Sequence, residues 1–156
     1  MALRSLLAKD WTVEVNTGTQ AVPVWTPIKG LTKFAETIES ETQDDSDFDS
    51  NGWGSDVVTQ RKFKLECEGR RKRDTGSPTF VPDPGQEAVR QAGRVVGVEA
   101  NIEVRWYRKD GSPDAYQGFV AVDYKGGGGE TTDLEPFAFD LLGQGEPTEI
   151  TNPAAD

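Results

Sequence analysis

Histidine is absent from the sequence, and cysteine occurs once, as Cys67. Without histidine, Ser-His-Asp and Cys-His arrangements are excluded, along with the usual general base. A single thiol can form neither an internal disulfide nor a cysteine metal cluster. Long apolar runs are missing too. "MALRSLLAKDW" offers only a few apolar residues before Asp10, too few for a membrane span or the apolar region of a signal peptide. The expectation is a chain made and folded in a reducing cytoplasm, with no membrane partner. Positive charge is scarce: 17 Lys and Arg face 27 Asp and Glu, for a net charge of −10. That balance argues against a grip on nucleic-acid phosphates, which takes clustered bases. Large aliphatics are sparse as well; Leu, Ile, Val and Phe together make roughly one residue in five, just above the level where disorder becomes the default. The 156 residues suit one domain, and so thin a core implies that a partner completes some of the surface.

What is present reads mainly as strand. "WTVEVNTG" alternates Trp11, Val13 and Val15 with polar residues, and "AVPVWTPIKGL" is an extended run whose prolines suit an edge. "VVTQRKFKLECEG" puts Val57, Phe63, Leu65 and Cys67 on one face. Cys67 therefore reads as a small buried apolar residue rather than a nucleophile. Ala100, Ile102, Val104 and Trp106 alternate in the next run, which ends at Asp110-Gly111. Residues 101–107 and 116–124 then form a predicted hairpin. Phe137, Phe139 and Leu141 mark a last strand. A helix is predicted over about 84–96, with Asp83 as N-cap, Pro84 at the first position, Gln86 completing a capping box, and Ala88, Val89, Ala92 and Val96 as its stripe. The predicted fold class is mainly β: an antiparallel sandwich or barrel-like core with one short flanking helix, over about 10–145, followed by a short flexible tail at 146–156.

Two long loops are expected to interrupt this frame. Residues 36–56 carry eight carboxylates and no Lys or Arg, whereas residues 69–85 carry Arg70, Arg71, Lys72 and Arg73 ahead of a Pro/Gly-rich stretch. Asp47, Asp49, Asn51 and Gly52 start like an EF-hand loop. That loop needs a bidentate carboxylate at its twelfth position, which here is Val58, and helices on both sides. The solvated acidic loop is the better reading, and no metal or cofactor is expected. Carboxylate pairs of the glycosidase kind cannot be singled out among so many acids. "KGGGGETTD" lacks the Gly-Lys-Ser/Thr of a phosphate loop. Trp11, Trp25 and Trp106 sit at core-facing phases. Trp53, between two glycines with Phe48 nearby, either folds back on the domain or anchors an interface.

The ordered series "VWTPIKGLTKF", "FDSNGWGSDVVTQRKFKLECEGRRKRD", "DPGQEAVRQAG", "VRWYRKDGSPDAYQGFVAVDY" and "GGGGETTDLEPFAFDLLGQG" resembles the tail-tube (major tail) proteins of long-tailed bacteriophages, over about Trp11 to Gly145. The resemblance implies hexameric rings whose sheets join into an inner barrel, and rings that stack into a tube through which DNA leaves without specific binding. It also implies companions such as a tape measure, a tail tip and a terminator, a place in the virion tail after assembly in the host cytoplasm, and no active site. The expected contact residues between subunits are Asp44, Asp45, Asp47, Phe48, Asp49 and Trp53 on one side and Arg70, Arg71, Lys72 and Arg73 on the other. A tail-terminator or head–tail joining ring is the alternative within that class. A calcium- or carbohydrate-binding sandwich is the alternative outside it.

Overall fold

The computed structural model describes residues 1–155. A 3₁₀ turn at Ala8–Asp10 leads into β1 (Trp11–Asn16), β2 (Trp25–Pro27), β3 (Leu31–Asp44) and β4 (Asp56–Arg70). The helix α1 (Pro84–Ala92) follows, then β5 (Asn101–Arg108), β6 (Ala115–Tyr124), β7 (Pro136–Gly143) and the short β8 (Thr148–Glu149). All pairings are antiparallel, in the order β2-β1-β5-β6-β7-β4-β3, with β8 attached to β6. The eight-stranded sheet does not close.

Alternation decides which face is inside. Val13 and Val15, Val104 and Trp106, Val120, Phe137, Phe139 and Leu141, and Phe63, Leu65 and Cys67 all point into one core, each at most 4% exposed. The sheet curls so that distant strands meet across this core. Phe63 of β4 stacks on Trp106 of β5 with centroids 5.3 Å apart, and Trp11 of β1 lies 5.2 Å from Phe34 of β3. Five aromatic contacts thread the interior, which concentrates apolar area in few residues and offsets the shortage of aliphatics. The mainly β, one-helix architecture agrees with the sequence reading, as does the parity of the core strands, except that a register shift puts Val57 on the face opposite Phe63, Leu65 and Cys67. Trp11 and Trp25 are only half-buried, however, because β1 and β2 form the edge of the sheet.

The helix is shorter than predicted. It stops at Ala92, and Val96 is 90% exposed instead of lying on the stripe. Asp83 does accept the Gln86 N–H, at 3.2 Å. The Gln86 side chain does not return to the cap, though. It is 2% exposed; its Nε2 donates to Lys29 O and Arg70 O at 2.7 and 2.8 Å, and its Oε1 accepts from Lys72 N at 2.9 Å. One amide thereby joins the helix to the start of β3 and the end of β4. Gly30 beside it has φ +82, and a Cβ there would collide with Arg70 O and the Gln86 amide, so the junction requires glycine. Gly85 serves the same docking by letting the helix approach Pro27 O.

The C-terminal segment, expected to be flexible, is tied down. β8 pairs with β6, and Asn152, 5% exposed, donates from Nδ2 to Arg108 O at 2.8 Å and also to Ser112 O. Arg108 is itself 3% exposed; its Nη2 donates to Leu7 O at 3.0 Å and its guanidinium pairs with Asp110 at 3.2 Å and Asp10 at 3.6 Å. The β5–β6 turn thus holds the segments before β1 and after β8 together.

Cys67 is buried, and desolvation pushes its thiol up to about 12. Thiolate is the reactive form. The folded protein should therefore resist labelling by a chromogenic disulfide at pH 8, with full reaction appearing only in denaturant; rapid labelling of native protein would refute this placement.

Candidate assembly surfaces

Residues 36–56 are a loop only over 45–55; 36–44 continue β3 and Asp56 begins β4. β7 pairs with β4 only from Lys64 to Arg70, and beyond that point β3 and β4 pair with each other alone, out to Asp44 opposite Asp56. They form a free two-stranded arm. The expectation failed because the arm has no buried face: every residue of β3 from Glu36 on is exposed, so no apolar alternation marks it. Thr37, Ile38, Thr42, Val57, Val58 and Thr59 supply strand propensity instead. A bulge between Glu41 and Thr42 in the register puts Val58 opposite Thr42, on the face that also carries Ile38 and Phe63. Only Phe63 is covered; Ile38 and Val58 are 58% and 42% exposed. Where the arm leaves the core, Trp106 Nε1 donates to Glu36 Oε2 at 2.7 Å, so a buried indole fixes the root.

The tip uses the calcium-like residues as turn residues. Asp47 caps a 3₁₀ turn at Phe48–Ser50, accepting from Asp49 N at 2.9 Å while its own N–H donates to Ser50 Oγ at 3.0 Å. Asn51 (φ 52) and Gly52 (φ +81) occupy the left-handed region that reverses the chain. Asp44 accepts from Ser46 N at 2.8 Å, and hydrogen bonding to Ser46 holds its carboxyl below the usual range. Among the described residues no group of three or more His, Cys, Asp and Glu is arranged to hold a metal ion. Phe48 is fully exposed and Trp53 is 81% exposed. Neither ring folds back on the domain, leaving two aromatics among the carboxylates of Asp44, Asp45, Asp47 and Asp49.

The basic cluster lies at the opposite end of β4. Fifteen residues separate Asp56 from Arg70 inclusive, about 45 Å of strand at ~3.3 Å per residue. The acidic and basic sets are therefore each brought together, but not to one another within a chain. Arg70, Lys72 and Arg73 are exposed. Arg71 is engaged: its guanidinium lies 5.0 Å over the Phe80 ring and 3.9 Å from Glu87. Glu87 also accepts from Arg90 and Gln91, and the Arg90 hydrogen bond lowers its carboxyl to about 2. That stabilisation is present above the ordinary carboxylate range and is lost as pH falls towards about 2.

A third surface is the outer face of β4, β7 and β6. Lys64 contacts Glu66 at 3.0 Å and Asp140 at 4.0 Å, while Lys125 contacts Asp123 at 3.0 Å and Asp140 at 3.3 Å. Each ammonium is matched by carboxylates, so this face presents paired rather than purely repelling charge. Sequence reasoning also missed the exposed Leu3, Leu6 and Leu7 ahead of β1; their i, i+3, i+4 spacing was the available signal.

No family model and no curated protein matches this chain. Its fold matches solved structures. A chain in the virion of the native gene transfer agent (GTA) particle superposes with a TM-score of 0.63 at 17% identity, covering 94% of this chain and 99% of that one. The tail of the empty GTA particle, a structure with C6 symmetry, gives the same values. The SPP1 tail tube superposes with a TM-score of 0.69 at 12% identity, covering 95% of this chain and 81% of that one. The chain shares the fold of these structures over 94–95% of its length.

Proposed function

We propose that this chain is a structural tail-tube subunit that self-assembles into hexameric rings, which stack into a tube for DNA. The observation that carries the reading is the fold shared with tail structures over 94–95% of the chain, one of them with C6 symmetry. The surfaces support it independently. An open sheet leaves β3 and the β2–β1 side with unpaired edges that neighbouring sheets can extend. An acidic, aromatic-tipped arm and a basic cluster at the far end of the same strand form a head-to-tail contact. Such heterologous contacts repeat into rings or filaments instead of closing as a dimer. The net charge of −10 keeps transiting DNA from trading its counterions for a lasting hold. The chain works by its surfaces and not by catalysis, in the tail of a virion assembled in the host cytoplasm, alongside tape-measure, tail-tip and terminator proteins.

Negative-stain electron microscopy of the concentrated protein tests this reading. Hollow tubes of stacked rings are expected; closed single rings would move the assignment to a terminator or joining protein, and a strictly monomeric protein would overturn it. The charge pairing has its own test. Changing Arg70, Arg71, Lys72 and Arg73 together to alanine should raise the concentration needed for assembly at least tenfold, about 1.4 kcal/mol or more, and should blunt its salt dependence. Unchanged assembly would remove this cluster from the contact.

A further inference from the structure

Two open hollows adjoin at the basic end of β4, on either side of Lys29 and Gly30. The first, of about 540 Å³, is walled by Trp11, Ile28, Leu31 and Tyr107 and rimmed by Lys9, Lys29 and Lys109. The second, of about 500 Å³, is walled by Val81, Pro82 and Pro84 and rimmed by Lys29, Lys72 and Arg73. All five cations are exposed, and none has an ion-pair partner among the described residues. The carboxylates in the same linings are already engaged. Glu14 holds Arg105 at 2.6 Å, Asp83 accepts from Gln86 N at 3.2 Å, and Asp74 accepts from Gly76 N at 2.8 Å. In a chain of net charge −10, this end presents unmatched positive charge around apolar walls. The tip of the arm presents the converse. Phe48 and Trp53 stand exposed among Asp44, Asp45, Asp47 and Asp49, with no Lys or Arg anywhere in residues 36–56.

We infer that the arm tip of one copy seats in these hollows on a second copy, with Phe48 and Trp53 entering one each and the carboxylates around them meeting the cationic rim. The inference rests on the self-assembly proposed above and names the receptor for its arm. Two exposed rings face two adjoining hollows, and an aromatic side chain desolvated in a pocket is the usual anchor of an interface. The tip carries acids alone, while the free charges of the rim are all positive, and such complementarity sets partner and orientation. The protomer's own tip is out of reach. Gly30 O accepts from Arg70 N at 2.9 Å, so the hollows sit at one end of β4, and the tip lies beyond Asp56 at the other. The pairing with Arg70–Arg73 accounts for one flank of this receptor only. Lys9, Lys29 and Lys109 extend it across to β1 and β5, and the apolar walls give the rings a place that charge pairing alone does not provide.

The test replaces Trp53 in the full-length chain with photoreactive benzoylphenylalanine and, in a second chain, places the same group at Val81 on the wall of a hollow. Each is assembled with an excess of wild-type chain and illuminated, and the adducts are located by peptide mass spectrometry. The probe at 53 is expected to mark residues 9–12, 27–31, 72–74, 81–84 or 107–109 of another chain, and the probe at 81 to mark residues 44–55. Assembled material in which neither probe marks the opposite surface overturns the inference and leaves the tube reading standing. Lys29→Glu tests the charge by itself. The Lys29 ammonium has no ion-pair partner among the described residues, and the Gln86 amide is held by the backbone oxygen, so the variant should melt as the wild type does. The concentration it needs for assembly should rise at least tenfold, and unchanged assembly also overturns the inference. Wild-type protein that never self-associates overturns the tube reading and this contact with it.

Discussion

Replacing Phe48 and Trp53 together with serine should yield a protein that folds as the wild type does and forms no tubes. Both rings are exposed in the protomer, and nothing packs on them there. Their loss should change unfolding stability by no more than about 0.5 kcal/mol, the range of substitutions away from packed contacts. In an assembly the same rings can be desolvated at the centre of an interface, where truncating an aromatic anchor costs about 2 kcal/mol or more. Two such losses per contact correspond to roughly a thousandfold weaker association. The separation between the two readouts makes the variant informative: a circular-dichroism melt follows the fold, and sedimentation velocity with electron microscopy follows assembly. An unchanged melt with only slow-sedimenting monomer is the expected pair. A lowered melt would mean that the rings pack on their own domain, and normal tubes would mean that the tip lies outside the contacts.

The core was legible where one face is apolar and the other wet. Phe63, Leu65 and Cys67, like Phe137, Phe139 and Leu141, announce their strands because burial imposes a period of two on them. The arm defeated that logic, since a strand exposed on both faces need not alternate, and eight carboxylates in 36–56 made the stretch look like a loop. A different signal was present. Asn51-Gly52 sits between two runs rich in Thr, Val and Ile, which marks a hairpin turn. The same Asp, Asn and Gly residues imitated a calcium loop because turn chemistry and calcium loops draw on the same residue types. Of the proposed contact residues, the two charged clusters could be read from the sequence, but their separation along one strand could not, because it depends on β4 being continuous from Asp56 to Arg70. Gln86 illustrates a further limit. It stands at the expected place in the first helical turn, but its side chain does not complete the capping box; its partners lie 14 to 57 residues away in the sequence, where no local motif reaches.

Gln86 also carries the largest expected effect on the fold. Its amide satisfies two carbonyls and one N–H, those of Lys29, Arg70 and Lys72, at a junction where β3 starts, β4 ends and the helix docks. Gln86→Leu keeps the volume and leaves these three backbone groups without their partner. Each such group costs about 1–3 kcal/mol when water cannot replace the lost bond. With partial wetting at the helix end, the total should be about 4 kcal/mol, which lowers the melting temperature by roughly 10–15 °C in a domain of this size. Gln86→Glu separates the donor from the acceptor role. The carboxylate can still accept from Lys72 N, but it turns a negative charge on the two carbonyls and should be worse than leucine at pH 7. Burial against those oxygens raises the folded-state pKa of the introduced carboxyl above its unfolded value of about 4.3. The folded state then binds the proton more tightly, so this variant should regain stability relative to wild type as pH falls, and lose it as pH rises through the carboxylate range. Thermal denaturation of the three proteins at pH 4 and pH 7 reads both effects. Equal melts for wild type and Gln86→Leu would show that water replaces the amide, and a Gln86→Glu deficit that does not shrink at pH 4 would show that charge is not its cause.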